Sequence, residues 1–244
     1  MRIILVRGTG EPQGRPSMLT ATAHSLASLS GGKVVDLPYR AEYGPVPNPL
    51  GQAYERSVAE GLGMLDHLAE AGPFILLGYS LGARIAGDFA AGGHRNLIAA
   101  GLVADPMDYG TDKAFGIGGR RKIGKSNVFR VAHPRDIICR CPANSPIRTV
   151  ADATAHLSFA TPDEWARDLI DRLARDRWQR VAVDWRNPTS AWRLYSQAID
   201  GVVDYLPRPA GRGFHERYGT DGAGDGRTYL QHLHRALAPY AQGG

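Results

Sequence analysis

The sequence predicts an α/β fold, a three-layer sandwich whose central, mostly parallel sheet lies between helices. A helical insertion precedes a C-terminal histidine loop. Three observations carry the prediction. Short apolar runs at 3–6, 33–37, 74–78, 97–103 and 128–132 alternate with helix-period stretches, the pattern of parallel strands joined by helical crossovers. The run at 74–78 ends in Gly78-Tyr79-Ser80-Leu81-Gly82 and passes at once into small helix formers, Ala83, Ala86, Gly87 and Ala90. That is G-x-S-x-G at a strand-to-helix turn, the context in which a serine hydroxyl is lifted above the end of a sheet. From 161 to 205 the pattern becomes purely helical, and all four tryptophans fall there: Trp165, Trp178, Trp185 and Trp192.

At 244 residues the chain suits one domain, or one domain with a sizeable insertion. The expected division is a catalytic domain over 1–159 and 206–244, with the helical insertion over 160–205. A net charge of +5 with scattered basic residues gives no nucleic-acid footprint. No apolar run approaches the ~20 residues of a membrane span. Residues 1–7 read as a buried strand and not as a signal peptide, so the expectation is synthesis in a cytoplasm. Cys139 and Cys141 stand too close for a mutual disulfide and have no histidine cluster at zinc-ligand spacing; free thiols and no metal are expected.

Taken in order, the first strand (3–6) runs into Gly8-Thr9-Gly10-Glu11-Pro12. A strand followed by G-x-G, with Asp36 ending the next strand, is half of a dinucleotide fingerprint. Pro12, Gly14 and Pro16 delay the helix that the fingerprint needs. The better reading is an oxyanion loop facing Ser80, with a backbone N–H near Thr9 or Gly10. A helix over 17–29 ends at Gly31-Gly32, and 33–37 is the second strand. The loop 38–49 is rich in proline and tyrosine; Tyr39 and Tyr43 are candidate walls of a substrate groove. A helix over 53–69 carries its apolar stripe on Val58, Leu62, Leu65 and Leu68.

Beyond the serine turn, the strand 97–103 leads to Asp105-Pro106-Met107. In a parallel sheet this end lies on the same rim as Ser80, which makes Met107 a candidate groove residue and Asp105 an early acid. Residues 119–126 match G-x-x-x-x-G-K-[ST] letter for letter. A phosphate-binding loop needs a strand before it and a helix after it, and neither is present. The expectation for 109–126 is a mobile surface loop of solvated charge.

The strand 128–132 delivers Asp136, the best candidate for the acid that orients a catalytic histidine. Thr161-Pro162-Asp163-Glu164 opens a helix by capping rules, and 190–205 is a second one. This tryptophan-rich pair is expected to pack on the sheet domain and wall an apolar groove. His215 then lies in a loop before a final helix over 227–237. His156 competes with it for the role of general base, being nearer Asp136 in sequence.

With these pieces in place the chain resembles the α/β-hydrolase superfamily, and within it the cutinase-like branch of actinobacteriophage lysins called lysin B, the mycolylarabinogalactan esterases. The shared features are RGTGEP after the first strand, GYSLGA at the serine, HPRDIIC at the acid, and FHERYGT with GRTYLQHLHRAL at the C-terminal end. The resemblance implies a triad of Ser80, Asp136 and His215, with oxyanion donors at the N–H of Leu81 and near Thr9 or Gly10. It implies a mycolyl-arabinogalactan or other lipid-ester substrate, no cofactor and no nucleic-acid partner. It also implies release from the host cytoplasm to act at the cell envelope. A generic cutinase, lipase or thioesterase, and a nucleotide- or dinucleotide-binding protein, are the competing readings. Oligomeric state is not given by the sequence; a monomer is the working expectation.

Overall fold

A computed structural model of the chain describes residues 1–179, 181, 186–205 and 213–243. Five strands form one wholly parallel sheet: β1 (Arg2–Val6), β2 (Lys33–Asp36), β3 (Phe74–Tyr79), β4 (Leu97–Val103) and β6 (Val128–Val131). Their spatial order is β2-β1-β3-β4-β6. The chain first winds from β1 to β2 and then crosses back to β3 on the other side of β1. In open α/β sheets ligands bind beyond the strand C-termini at such a reversal. Ser80 follows β3 and the 8–10 loop follows β1, so both sit at that point.

The layers follow from side-chain alternation along the strands. Ile4, Val6, Phe74, Leu76, Ala100 and Leu102 point to one face, where α2 (Tyr54–Ala69) and α3 (Leu81–Gly92) cover them. Ile3, Leu5, Ile75, Leu77, Ala99 and Val103 point to the other, covered by α1 (Thr20–Ser30) and α7 (Tyr229–Gln242). Helix α7 begins at a reciprocal cap: the Thr228 hydroxyl accepts from the Gln231 N–H, and the Gln231 side chain accepts from the Thr228 N–H. Helix α1 ends at Gly31 in the left-handed conformation, as the glycine pair predicts.

Helix α4 (Ile147–Thr154) and a two-residue antiparallel pairing of β5 (Ala114–Phe115) with β7 (Cys141–Pro142) were not expected from sequence. Arg148 of α4 holds this corner together. Its guanidinium is buried, donates to the carbonyls of Phe115, Gly116, Cys141 and Pro142, and lies over the Phe115 ring. The helical stretch comprises α5 (Pro162–Arg175) and α6 (Pro188–Tyr205). Thr161 and Pro162 take the expected cap and first positions of α5, although the Thr161 side chain makes no capping hydrogen bond. Trp185 and the return segment 206–212 lie outside the described residues. No helix among the described residues is long and apolar enough to cross a membrane.

The 109–126 segment is solvated charge only in part: Asp112, Lys113, Lys122 and Lys125 are exposed, as expected, while Arg121 turns inward. Arg121 is buried and donates to Asp88 and, at 2.6 Å, to Asp105, while its N–H bonds the Met107 carbonyl. The half-buried Asp88 is shared by Arg84 and Arg121, and Arg121 also pairs with the buried Asp105. The residues after 126 form β6, so the phosphate-loop letters stand in no phosphate-loop context. The G-x-G of the first loop also lacks its helix, since α1 begins only at Thr20. Asp36 is engaged by Arg7 at 3.0 Å and by the Gly14 N–H.

Candidate active site

The turn after β3 is built around steric limits. Ser80 has φ 54° and ψ −116°, a conformation that costs about 1–3 kcal/mol for a residue with a side chain. It is pinned by its N–H to the Val103 carbonyl and by its own carbonyl, which accepts from Arg84. A Cβ on Gly78 would meet the Gly82 backbone, and one on Gly82 would run into the carbonyls of Val6 and Arg7. Both glycines of the motif are therefore required by close backbone approach, which lets β1 and the start of α3 close around the serine.

Three side chains from distant parts of the chain meet there. His215 lies in a single 3₁₀ turn, Phe214–Glu216, and its Nε2 is 2.9 Å from Ser80 Oγ. Its Nδ1 is 2.8 Å from Asp136 Oδ2. Both His215 and Asp136 are buried. With Asp136 ionised, Nδ1 carries the proton and donates, which leaves Nε2 free to accept from the serine hydroxyl. Burial alone would raise the Asp136 carboxyl. The His215 charge, together with hydrogen bonds from His215, Tyr218 and the Ile138 N–H, outweighs it and holds Asp136 below the usual carboxylate range.

Two tyrosines that the sequence reading did not single out complete the constellation. Tyr218 is fully buried, and its hydroxyl donates to Asp136 Oδ2 at 2.7 Å while accepting from the His133 N–H at 3.1 Å. Tyr79 donates to the His215 carbonyl at 2.8 Å, and its ring stacks on the imidazole at 5.0 Å between centroids. Burial pushes both phenols well up, so both remain donors. Their positions beside Ser80 and three residues past His215 were the available signals, but neither spacing reveals where a hydroxyl points.

The oxyanion donors divide. Leu81 is the first residue of α3, where an N–H has no intrahelical acceptor. Among the described residues no group accepts from the Thr9 N–H either. Gly10 does not share this freedom: its N–H is spent on the Ala41 carbonyl at 2.8 Å. Of the expected donors, Thr9 and Leu81 therefore carry N–H groups without an acceptor, while the Gly10 N–H is already bonded.

Other candidates resolve by contact. His156 stands half-exposed with Nε2 3.6 Å from Asp168 of α5, so it is not the base beside Ser80. Asp105 is occupied by Arg121; burial, only partly offset by that cation, pushes its carboxyl up to about 6. Tyr39 does not wall a groove. It is buried, its hydroxyl donates to the Arg7 carbonyl, and Arg7 lies over its ring. Cys139 and Cys141 are buried free thiols, pushed up by burial. No metal-holding cluster exists among the described residues.

Two cavities meet at Ser80, sharing Thr9, Ser80 and Tyr205. One, of about 590 Å³, is apolar; Tyr43, Met107, Ile137, Ile147, Val150 and Val202 supply its walls. Tyr43 and Met107, two of the candidate groove residues, line this cavity. The other, of about 840 Å³, is lined by polar and apolar groups in similar measure and opens between α1 and α7. Among the described residues no tryptophan lines either cavity; the helical stretch contributes Arg172, Val202 and Tyr205 instead. Trp165 turns its Nε1 to the Ala153 carbonyl, and Trp192 is exposed.

No protein-family model matches the chain, and no curated protein matches its sequence. Among solved structures the chain is similar to a cutinase-like protein from Cryptococcus sp., at 20% identity over 74% of this chain and 96% of that one, with a TM-score of 0.42. It is also similar to the catalytic core domain of acetyl xylan esterase from Trichoderma reesei, at 18% identity over 72% and 97%, with a TM-score of 0.47. Lysin B from Mycobacteriophage D29 is similar at 17% identity over 82% and 97%, with a TM-score of 0.43. Likeness at this level carries no weight for the chemistry, which rests on the site itself.

Proposed function

We propose that the chain is a serine carboxylic-ester hydrolase acting on lipid esters. The observation that carries this is the continuous relay Ser80 Oγ, His215, Asp136, set beside two free backbone donors and an apolar cavity. His215 takes the Ser80 proton, Ser80 attacks the ester carbonyl, and the Thr9 and Leu81 N–H groups receive the developing oxyanion. The alcohol leaves with the proton, and water, activated by the same histidine, clears the acyl-enzyme. All groups needed belong to the chain.

The finer reading is a mycolylarabinogalactan esterase of lysin B type, freeing mycolic acid from cell-wall arabinogalactan during phage-driven lysis. It is supported by the sequence motifs RGTGEP, GYSLGA, HPRDIIC and FHERYGT, and by a cavity apolar enough for a fatty chain. On this reading the enzyme is made in the host cytoplasm and works at the envelope. The test is p-nitrophenyl ester hydrolysis from butyrate to palmitate, followed by release of free mycolate from purified mycolyl-arabinogalactan. A preference for long chains with mycolate release supports the reading. A preference for butyrate with no mycolate release turns it toward a generic esterase.

A further inference from the structure

Of the four consecutive N–H groups from Gly8 to Glu11, three are bonded within the fold. Gly8 donates to Glu11 Oε2 at 2.7 Å, Gly10 to the Ala41 carbonyl at 2.8 Å, and Glu11 to the Gly8 carbonyl at 3.2 Å. Among the described residues none accepts from the fourth, the Thr9 N–H, and Thr9 lines both cavities beside Ser80. What aims this donor is the Gly8–Thr9 peptide. The unit is planar and trans, so its carbonyl and its N–H point in opposite directions. With the Gly8 carbonyl tied to the Glu11 N–H, the Thr9 N–H is turned the other way. Residue 8 has to be glycine, because a Cβ there would meet the Tyr79 ring at 2.6 Å. The peptide plane therefore gets no help from a side chain of its own, and a flip would present a carbonyl where the donor belongs.

The Glu11 side chain supplies the missing restraint. One carboxylate oxygen accepts from the Gly8 N–H, and the other accepts from the Met18 N–H at 2.6 Å, just before α1. The Glu11 carbonyl accepts from the buried Arg7. One residue thus grips Gly8 at both its N–H and its carbonyl, and anchors the turn to the start of α1 and to Arg7. We propose that Glu11 is the positioning residue of the oxyanion hole: its carboxylate holds the Gly8–Thr9 peptide in the orientation that presents the Thr9 N–H to the developing oxyanion. The proposal rests on the esterase reading above and deepens its transition-state step; Glu11 acts through Thr9 and not on the substrate. A carboxylate on the wall of this cavity would by its charge alone oppose a developing anion. Here each of its oxygens is bonded to an N–H group, and its contribution is to hold the donor in place.

The test compares wild type, Glu11→Gln and Glu11→Ala on p-nitrophenyl butyrate and on its thionoester, in which sulfur replaces the carbonyl oxygen. Sulfur is a weak acceptor and draws little from the N–H pair, so the ratio of kcat/KM between the two esters reads the oxyanion contact. That ratio does not depend on the folded fraction of a preparation, so a poorly folding variant is still read. Removing an oxyanion donor outright costs about 10²–10³ in kcat. Misaiming Thr9 while Leu81 stays in place is expected to cost Glu11→Ala about tenfold to a hundredfold in kcat on the oxygen ester, with KM within about threefold. On the thionoester the same variant is expected to lose less than about threefold. Glu11→Gln keeps one acceptor and sets an NH₂ against the other N–H, so its loss falls between wild type and Glu11→Ala. A ratio in Glu11→Ala equal to that of wild type, whether or not both rates fall, overturns the proposal and leaves the esterase reading standing. So does Glu11→Gln at or above wild type on the oxygen ester, which would show that the charge and not the geometry matters. Wild type inert on the oxygen ester removes the esterase reading and this inference with it.

Discussion

Tyr218→Phe isolates one hydroxyl at the base of the relay. The ring is fully buried, so phenylalanine keeps the packing, and only the oxygen is lost. That oxygen donates to Asp136 Oδ2 at 2.7 Å and accepts from the His133 N–H at 3.1 Å. A hydrogen bond to a buried charge contributes about 1.5–3 kcal/mol, and the orphaned His133 N–H adds to the loss. For a chain of this length the expected fall in Tm at neutral pH is about 3–12 °C. Asp136 is held below its unfolded value near ~3.9, so its contribution to stability is complete above that value and is lost as pH falls through the lower folded value. Removing the Tyr218 donor raises the folded value toward the unfolded one, so acid unfolding begins at higher pH. Turnover drops by about tenfold or less, because His215 still meets Ser80 and one Asp136 oxygen. The assays are thermal melts across pH 2–7, together with ester kinetics. An unchanged Tm and an unchanged acid midpoint would refute the role given to this hydroxyl.

Further expectations follow from single contacts. His215→Ala should lower turnover by roughly 10³-fold or more while His156→Ala stays within about twofold of wild type, measured on p-nitrophenyl butyrate. Gly82→Ala should be recovered insoluble or melt far below wild type, since its Cβ meets the carbonyls of Val6 and Arg7; soluble, active Gly82→Ala would show the turn is looser than described. Arg121→Met strands the buried Asp105 and should cost about 3–5 kcal/mol at neutral pH by urea denaturation. Because the Asp105 carboxyl sits at about 6 in the fold, its penalty applies above that pH and fades as pH falls toward the unfolded value. The variant should therefore regain stability relative to wild type near pH 4.

Much of this was legible because strong local signals coincide with function. The buried run before Ser80 and the small residues after it are both backbone requirements of the turn, so the sequence displays them. The parallel sheet made Asp136 plausible for the same reason, since strand C-termini share one rim; His215 was marked by its loop before the last helix. What stayed hidden depends on tertiary contact. A two-residue pairing such as β5 with β7 has no period to detect. Arg121 and Arg148 look like solvated charge in sequence, yet each is buried against acceptors that only the fold assembles, carboxylates for one and carbonyls for the other. Tyr39 and Tyr218 are alike on paper; one closes onto Arg7 and the other onto Asp136. That the Gly10 N–H is bonded to the Ala41 carbonyl while the Thr9 N–H is not is likewise something no spacing rule reveals.

The most direct test of the central claim is covalent labelling with a fluorophosphonate, read by mass spectrometry of the peptide that contains Ser80, in wild type, His215→Ala and Asp136→Asn. The relay predicts stoichiometric modification of Ser80 in wild type, sharply slower labelling in both variants, and loss of p-nitrophenyl ester turnover in step with labelling. Modification elsewhere, or ester turnover that survives full labelling of Ser80, would contradict it.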